Sequence, residues 1–309
     1  MPLYKHSQNK LQQIKREKID LERDIQNLTE NNLELVFGLQ FVCSEFQLDS
    51  LRIDTLAYDS ETSSFVIIEY KRSRSFSVVD QGFAYLALML NNQADFILEY
   101  NSKHKEKLTR DSVDWTQSRV VFIAGSFTTH QKRAINFQDL PIELWEVQKY
   151  ENNLIHYERV ETPGSSASIK SLSTDKTVSR VSREIKKYSV EDHFNEGWEE
   201  SRDLFEELRE RILDLDDRLV ENPVKHYIGY KINNSVLVSL RIQKSKIVLS
   251  LNRVQPKDLR DPEKKLIYIE KSMEHYNKHI TDFYVKKPED IDYAMSLIRQ
   301  VHNKFADEF

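Results

Sequence analysis

Residues 161–189, "ETPGSSASIKSLSTDKTVSRVSREIKKYS", open on Pro-Gly, are rich in Ser and Thr, and lack a sustained apolar period. A stretch of this kind offers no continuous face to bury and reads as a linker. It divides the 309 residues into two blocks, each long enough to bury a core of its own. The expected organisation is a first domain over 1–160, a linker over 161–190 and a smaller domain over 191–309. No internal repeat relates the two blocks.

In the first block, residues 7–37 place Leu11, Ile14, Ile19, Leu21, Ile25, Leu28 and Leu33 close to a 3.6-residue spacing, which predicts one long amphipathic helix docked on a sheet. Two β-rich runs, 51–58 and 65–71, flank the polar "DSETSS", a hairpin signature. A second helix is expected over 78–100, with Phe83, Leu86, Leu90 and Ile97 on one side. Strands follow at 119–125, 142–150 and 154–160, with a short helix near 131–136. The second block predicts a helix over 202–215, a hairpin pair at 236–242 and 246–251, and a closing helix from Pro288 with acids in its first turn. The fold class is α/β (α+β): a mixed sheet flanked by helices, plus a small α+β domain.

Composition removes several functions. The net charge is −5, so any polyanion must be met by a local patch. One cysteine, Cys43, excludes an internal disulfide and fits a reducing compartment, with the thiol part of the core. No apolar run is long enough to span a bilayer, and the first residues lack an apolar signal core, so the expected location is cytoplasmic. The sequons at Asn27 and Asn233 are then chance matches. With only 6 glycines and no phosphate-cradling loop, the sequence argues against an ATP-driven motor.

The stretch "VIIEYKRS", 66–73, sets charge directly against an apolar run. In a strand Ile67, Glu69 and Lys71 share one face, and on the preceding strand Arg52, Asp54 and Leu56 do the same. A hairpin loop centred between Glu61 and Thr62 pairs residues whose numbers sum to 123. That register sets Asp54 opposite Glu69 and Arg52 opposite Lys71. Opposed side chains have Cβ atoms roughly 4.5–5.5 Å apart, where two like charges destabilise a sheet unless something neutralises them. A divalent cation such as Mg²⁺, held by one or two carboxylates with water and phosphate, would do so. The alternative is a pair of solvated carboxylates on an exposed hairpin face, and spacing alone leaves both open. Gln81 and Tyr85, four apart on the next helix, share a face that could meet a water or phosphate beside the pair; alone, they also read as a surface amide and a half-buried aromatic.

The series Asp54, Glu69-Tyr70-Lys71 and Gln81-Gly82-Phe83-Ala84-Tyr85 resembles the PD-(D/E)XK nuclease superfamily, and its Gln-x-x-x-Tyr element is similar to the RecB-like branch. "TENNLELVFGLQFVCSEF", "RIDTLAYD", "VIIEYKRS" and "VDQGFAYLALML" together resemble the NucS-type nuclease domain of bacterial proteins often labelled "predicted transport protein", over roughly residues 20–150. The second block resembles the uncharacterised module that follows in those proteins. The resemblance implies a restriction-endonuclease-like mixed sheet and a metal-dependent nuclease, most directly a DNA endonuclease, using Mg²⁺ or Mn²⁺. It implies Asp54 and Glu69 as metal ligands, Lys71 as the residue that orients or activates the attacking water, and Gln81 as its support. The superfamily often adds an acid from its first helix, here Glu22, with Glu30 and Glu45 as rivals. The superfamily's proline is replaced by Ile53. Arg52, Arg72 and Arg74 would contact flanking phosphates, although "KRSR" also reads as a solvated turn. The alternative function is a nuclease-fold module that binds nucleic acid or protein without efficient cleavage, and the second domain is the expected seat of a homodimer contact or a protein partner.

Other motifs are weaker. His275 and His279 stand four apart but lack a third zinc ligand nearby. "HYIGYK", 226–231, could stack bases but reads better as a core strand. "GSS", 164–166, lacks the strand and helix of a nucleophile elbow.

Overall fold

In the computed structural model, described here for residues 2–19, 22–48, 51–71, 77–137, 139–161, 176–273 and 278–305, the run "SFVIIEYK" is strand β6 (Ser64–Lys71). All of its residues but Lys71 are buried. Such an unbroken apolar run belongs to a strand covered on both faces. Phe65 and Ile67 join the core formed with helix α3 (Val78–Asn91), while Val66, Ile68 and Tyr70 join a second core with helix α1 (Glu22–Glu30). Glu69 follows Phe65 and Ile67 in the alternation and so belongs to the α3 face.

Around β6 the first unit, Met1–Lys187, builds a mixed sheet. Its path runs β3 (Arg16–Glu17), β8 (Ile142–Tyr150), β7 (Arg119–Ala124), β6, β5 (Leu51–Asp59) and β4 (Gln40–Leu48), with β9 (Leu154–Arg159) also paired to β8. Neighbours β6, β7 and β8 are parallel; β4 with β5 and β5 with β6 are antiparallel. The β5–β6 turn is stitched by Asp59 Oδ1, which accepts from the amides of Glu61 (2.9 Å) and Thr62 (3.3 Å). The register is Thr55↔Ile68, Leu56↔Ile67 and Ala57↔Val66, the sum of 123 expected from the hairpin.

The long helix expected over 7–37 is not formed. Residues 3–14 are a hairpin of β1 (Leu3–Ser7) and β2 (Lys10–Ile14), turning at Gln8 and Asn9, both at positive φ (48° and 59°). The helical part is α1 and a short α2 (Leu33–Phe37), which ends on Gly38 in the left-handed conformation. The helix expected over 78–100 breaks at Asn92 into α3 and α4 (Gln93–Lys103). Helix α5 (Thr129–Ala134) starts two residues before the expected one, capped by Thr128. The stretch read as a linker also changes: 162–175 lie outside the described residues, but helix α6 (Lys176–Glu184) follows, and Val181 and Ile185 are buried in the α3-side core. Their apolar spacing is too sparse among Ser, Arg and Lys to stand out in the sequence.

The second unit, Tyr188–Phe309, is an antiparallel sheet with its own core. Its order is β10 (Leu219–Pro223), β11 (Ile228–Ile232), β12 (Ser235–Gln243), β13 (Lys246–Asn252), β15 (Ile280–Val285) and β14 (Ile267–Tyr268). Helices α7 (Glu199–Leu213) and α8 (Glu289–Phe305) supply Phe205, Leu208, Leu297 and Val301 against Leu240, Leu249 and Phe283. Tyr230 of "HYIGYK" is fully buried, so that motif is a core strand. His275 lies outside the described residues; His279 Nδ1 lies 2.8 Å from the Tyr268 hydroxyl and meets the Gln255 amide. Cys43 is buried beside the α3-side core. Among the described residues no helix is long and apolar enough to cross a membrane.

Candidate active site

The β5–β6 ladder stops at Thr55↔Ile68, and one step beyond it Asp54 and Glu69 take over the pairing. The amide of Asp54 donates to Glu69 Oε1 (3.1 Å), and the amide of Tyr70 donates to Asp54 Oδ2 (3.0 Å). Each carboxylate thus accepts a backbone N–H from the other strand just past the end of the ladder. The two acids are held by backbone, not by flexible side chains. Lys71 Nζ closes the arrangement at 2.9 Å from Glu69 Oε2.

Glu69 is buried to 1 % exposure, and burial, then the neighbouring Asp54 charge, pushes its carboxyl up to about 7 against the pull of Lys71. Burial also raises Asp54, opposed by the Tyr70 amide and Lys71. Two carboxyls that resist ionisation together are what a low-dielectric pair of like charges produces. Asp54 is half-buried, and its Oδ2 is the oxygen that accepts the Tyr70 amide.

Helix α3 brings its first turn to the strand ends. Its N-cap is Ser77, whose hydroxyl accepts from the Asp80 amide (3.3 Å). The Tyr85 hydroxyl donates to the Arg52 carbonyl (3.2 Å), and burial together with the Glu69 charge raises its pKa. Gln81, partly buried one turn earlier, lies on the same face of the helix as Tyr85. Gly82 between them lets the helix settle on the sheet, since a Cβ there would collide with the Ile142 side chain. The five residues Asp54, Glu69, Lys71, Gln81 and Tyr85 therefore converge on one corner of the sheet.

The third acid does not join them. Among the described residues no group of three or more His, Cys, Asp or Glu side chains is disposed to hold a metal ion. Glu22 is exposed in the first turn of α1. Glu30 turns to the opposite face of the sheet, accepting from Thr55 Oγ1 (2.5 Å) and Ser44 Oγ (2.7 Å). Glu45 sits across from Asp54, between the pairs Ser44↔Thr55 and Phe46↔Ile53, but its φ of 54° turns it aside and its carboxylate takes Arg52 Nε at 2.7 Å. Arg52 is thereby neutralised, while Arg72 and Arg74 lie outside the described residues.

Sequence reasoning missed Gln26. From α1 its Nε2 reaches the Asp54 carbonyl (3.1 Å) and Glu30 (3.0 Å), tying the helix to the strand that carries the acid. The signal available was the i, i+4, i+8 series Glu22, Gln26, Glu30 facing a strand with a polar Thr55.

The second unit coincides with a family model described as a domain of unknown function, DUF5655, over residues 190–303. A protein of Haemophilus influenzae (strain Rd), described as "Uncharacterized protein", is 40% identical over 301 residues, 97% of this chain and 99% of that one. The chain belongs to the same family as that protein. Solved structures with partial likeness include the EndoMS–dsDNA2 complex (20% identity, TM-score 0.27, 38% of this chain and 43% of that chain) and a repair endonuclease from Pyrococcus abyssi (15%, 0.23, 39% and 45%). The chain matches less than half the length of each. The mixed sheet stands on its own strand order.

Proposed function

We propose that this family member is a metal-dependent nuclease that hydrolyses phosphodiester bonds, acting as an endonuclease on DNA. The observation that supports it is the crossed pair: two carboxylates fixed by each other's strands at a sheet corner, one fully buried and capped by a lysine. The donor set fits a hard divalent cation, Mg²⁺ or Mn²⁺, with oxygen ligands from Asp54 and Glu69 and the remaining positions left to water and phosphate. When bound, the cation supplies positive charge against the charge that develops on the attacked phosphate. The chain's own residues do the rest. Lys71 Nζ, already 2.9 Å from Glu69, stands as a fixed charge for the attacking water or a nonbridging oxygen. Gln81 and Tyr85 orient the polar groups beside it. Burial keeps bulk water from screening these charges.

A binding module without efficient cleavage is the second reading, favoured by the absence of a third converging acid among the described residues. One experiment separates the two. Single-stranded, duplex, branched and mismatched DNA, and RNA, are incubated with the protein in Mg²⁺, Mn²⁺ or EDTA, alongside Asp54→Ala and Lys71→Ala. The nuclease reading expects cleavage that needs the metal and drops at least about 100-fold in either variant. Binding with no cleavage in any condition, or equal cleavage by the variants, assigns the fold to the second reading or to a different site.

A further inference from the structure

The hairpin β1–β2 contributes no side chain to the cores on either face of its sheet. Every residue of its two strands is exposed except Leu3 and Ile14, which pair at its base and are half-buried. A bare two-stranded ribbon is marginal in water, and nothing in its own packing accounts for its order. What holds it is its root. Strand β3 continues from β2 and pairs with β8 through Arg16↔Tyr150 and Glu17↔Lys149, and the Lys15 carbonyl accepts from the Glu151 amide (2.9 Å) while the Lys15 amide donates to Glu151 Oε2 (3.1 Å). The ribbon is anchored to the same sheet that carries Asp54 and Glu69.

Its chemistry is one-sided. Residues 2–16 carry Lys5, Lys10, Lys15 and Arg16 and no acid, in a chain of net charge −5. The pairs Lys5↔Gln12 and Ser7↔Lys10 put two ammonium groups, an amide and a hydroxyl on one face. The other face shows Tyr4, His6, Leu11 and Gln13, with Tyr4 50 % and Leu11 68 % exposed. Among the described residues neither Lys5 nor Lys10 meets a carboxylate. A surface charge pair is worth little, so leaving both lysines without one costs the fold little and keeps them available to an anion.

We propose that this ribbon inserts into the major groove of duplex DNA, its Lys5/Lys10 face toward the phosphates and base edges. The choice of polyanion rests on the nuclease reading above; the ribbon, its charge and its root do not. A two-stranded antiparallel ribbon fits a groove about 12 Å wide, and Lys, Gln and Ser are side chains that meet phosphates and base edges there. Contacts to phosphate carry a salt signature, a slope of about 0.9 in log affinity against log salt per phosphate neutralised.

The test measures anisotropy of a fluorescent DNA duplex in EDTA, where cleavage does not intervene, over a series of salt concentrations. Lys5→Glu with Lys10→Glu is expected to weaken binding at least tenfold at low salt and to make the salt slope shallower by about 2, with the melting temperature unchanged because both side chains are exposed. Unchanged affinity and slope, or a wild-type protein that binds no duplex, overturns the proposal. So does a wild-type dimer that Tyr4→Ala with Leu11→Ala turns into a monomer in sedimentation while duplex binding persists, which would make the ribbon a contact between copies. Duplex binding through the ribbon without Asp54-dependent cleavage overturns the nuclease reading alone; Asp54-dependent cleavage with a dispensable ribbon overturns this inference alone.

Discussion

Glu69 is the residue on which most of the site's behaviour turns. Its carboxyl holds a proton up to about 7 in the folded chain, against an ordinary 4.5. Between those values the unfolded chain is ionised while the folded one keeps its proton, so in EDTA stability falls as pH rises through that window and levels above it. The total is on the order of 3 kcal/mol. Glu69→Gln is expected to flatten this slope in melting curves run from pH 4 to 8, leaving the smaller drift due to Asp54. A cation bound by the pair would offset the same penalty, so Mg²⁺ should raise the wild-type melting temperature more at pH 8 than at pH 5 and leave Glu69→Gln nearly unmoved. A gain of equal size in the variant would place the cation elsewhere. Lys71 belongs to the same coupled set: Lys71→Met removes the counter-charge while keeping the stem, and the remaining buried carboxyl should titrate higher, seen as a melting slope that extends above pH 7.

At the scale of elements, the site depends on how closely α3 sits on the sheet. Gly82→Val would drive a side chain into Ile142, costing about 1–3 kcal/mol by overpacking, and a urea midpoint shifted down with cleavage reduced is the expected result. Much of this layer was legible in the sequence. The β5–β6 register followed from the turn alone, because the Asp59 side chain ties the loop and β-strand alternation does the rest. The hairpin of residues 3–14 was not legible. Leu11 and Ile14, three apart, suit a helix as well as a strand, and short apolar runs do not separate the two periods. The decision lay in Gln8 and Asn9 at positive φ, a turn that asparagine tolerates and that no hydrophobic pattern records. Strand β4 is not legible for a related reason: the register shift between Phe41 and Cys43 and the left-handed Glu45 break its alternation. Glu22 stands exposed in the first turn of α1, since spacing along a helix gives a face, not the distance from that face to a strand.

Each unit holds its own cores, one on either face of the first unit's sheet and one in the second unit. Residues 188–309 expressed alone are therefore expected to unfold cooperatively in calorimetry, with a transition matching one of those of the full chain; a broad, non-cooperative melt would contradict it. The same separation predicts that substitutions at Asp54, Glu69 and Gly82 leave that transition where it is. Hydrogen exchange followed over the whole chain would single out two amides. Those of Asp54 and Tyr70 are protected not by carbonyls, which never titrate, but by the carboxylates of Glu69 and Asp54. Their protection is tied to the ionisation and occupancy of those groups, whereas ladder neighbours such as Ile68 are shielded by backbone alone. The crossed acids thus give the protein a pair of native probes, two backbone amides whose exchange reports what the corner is holding.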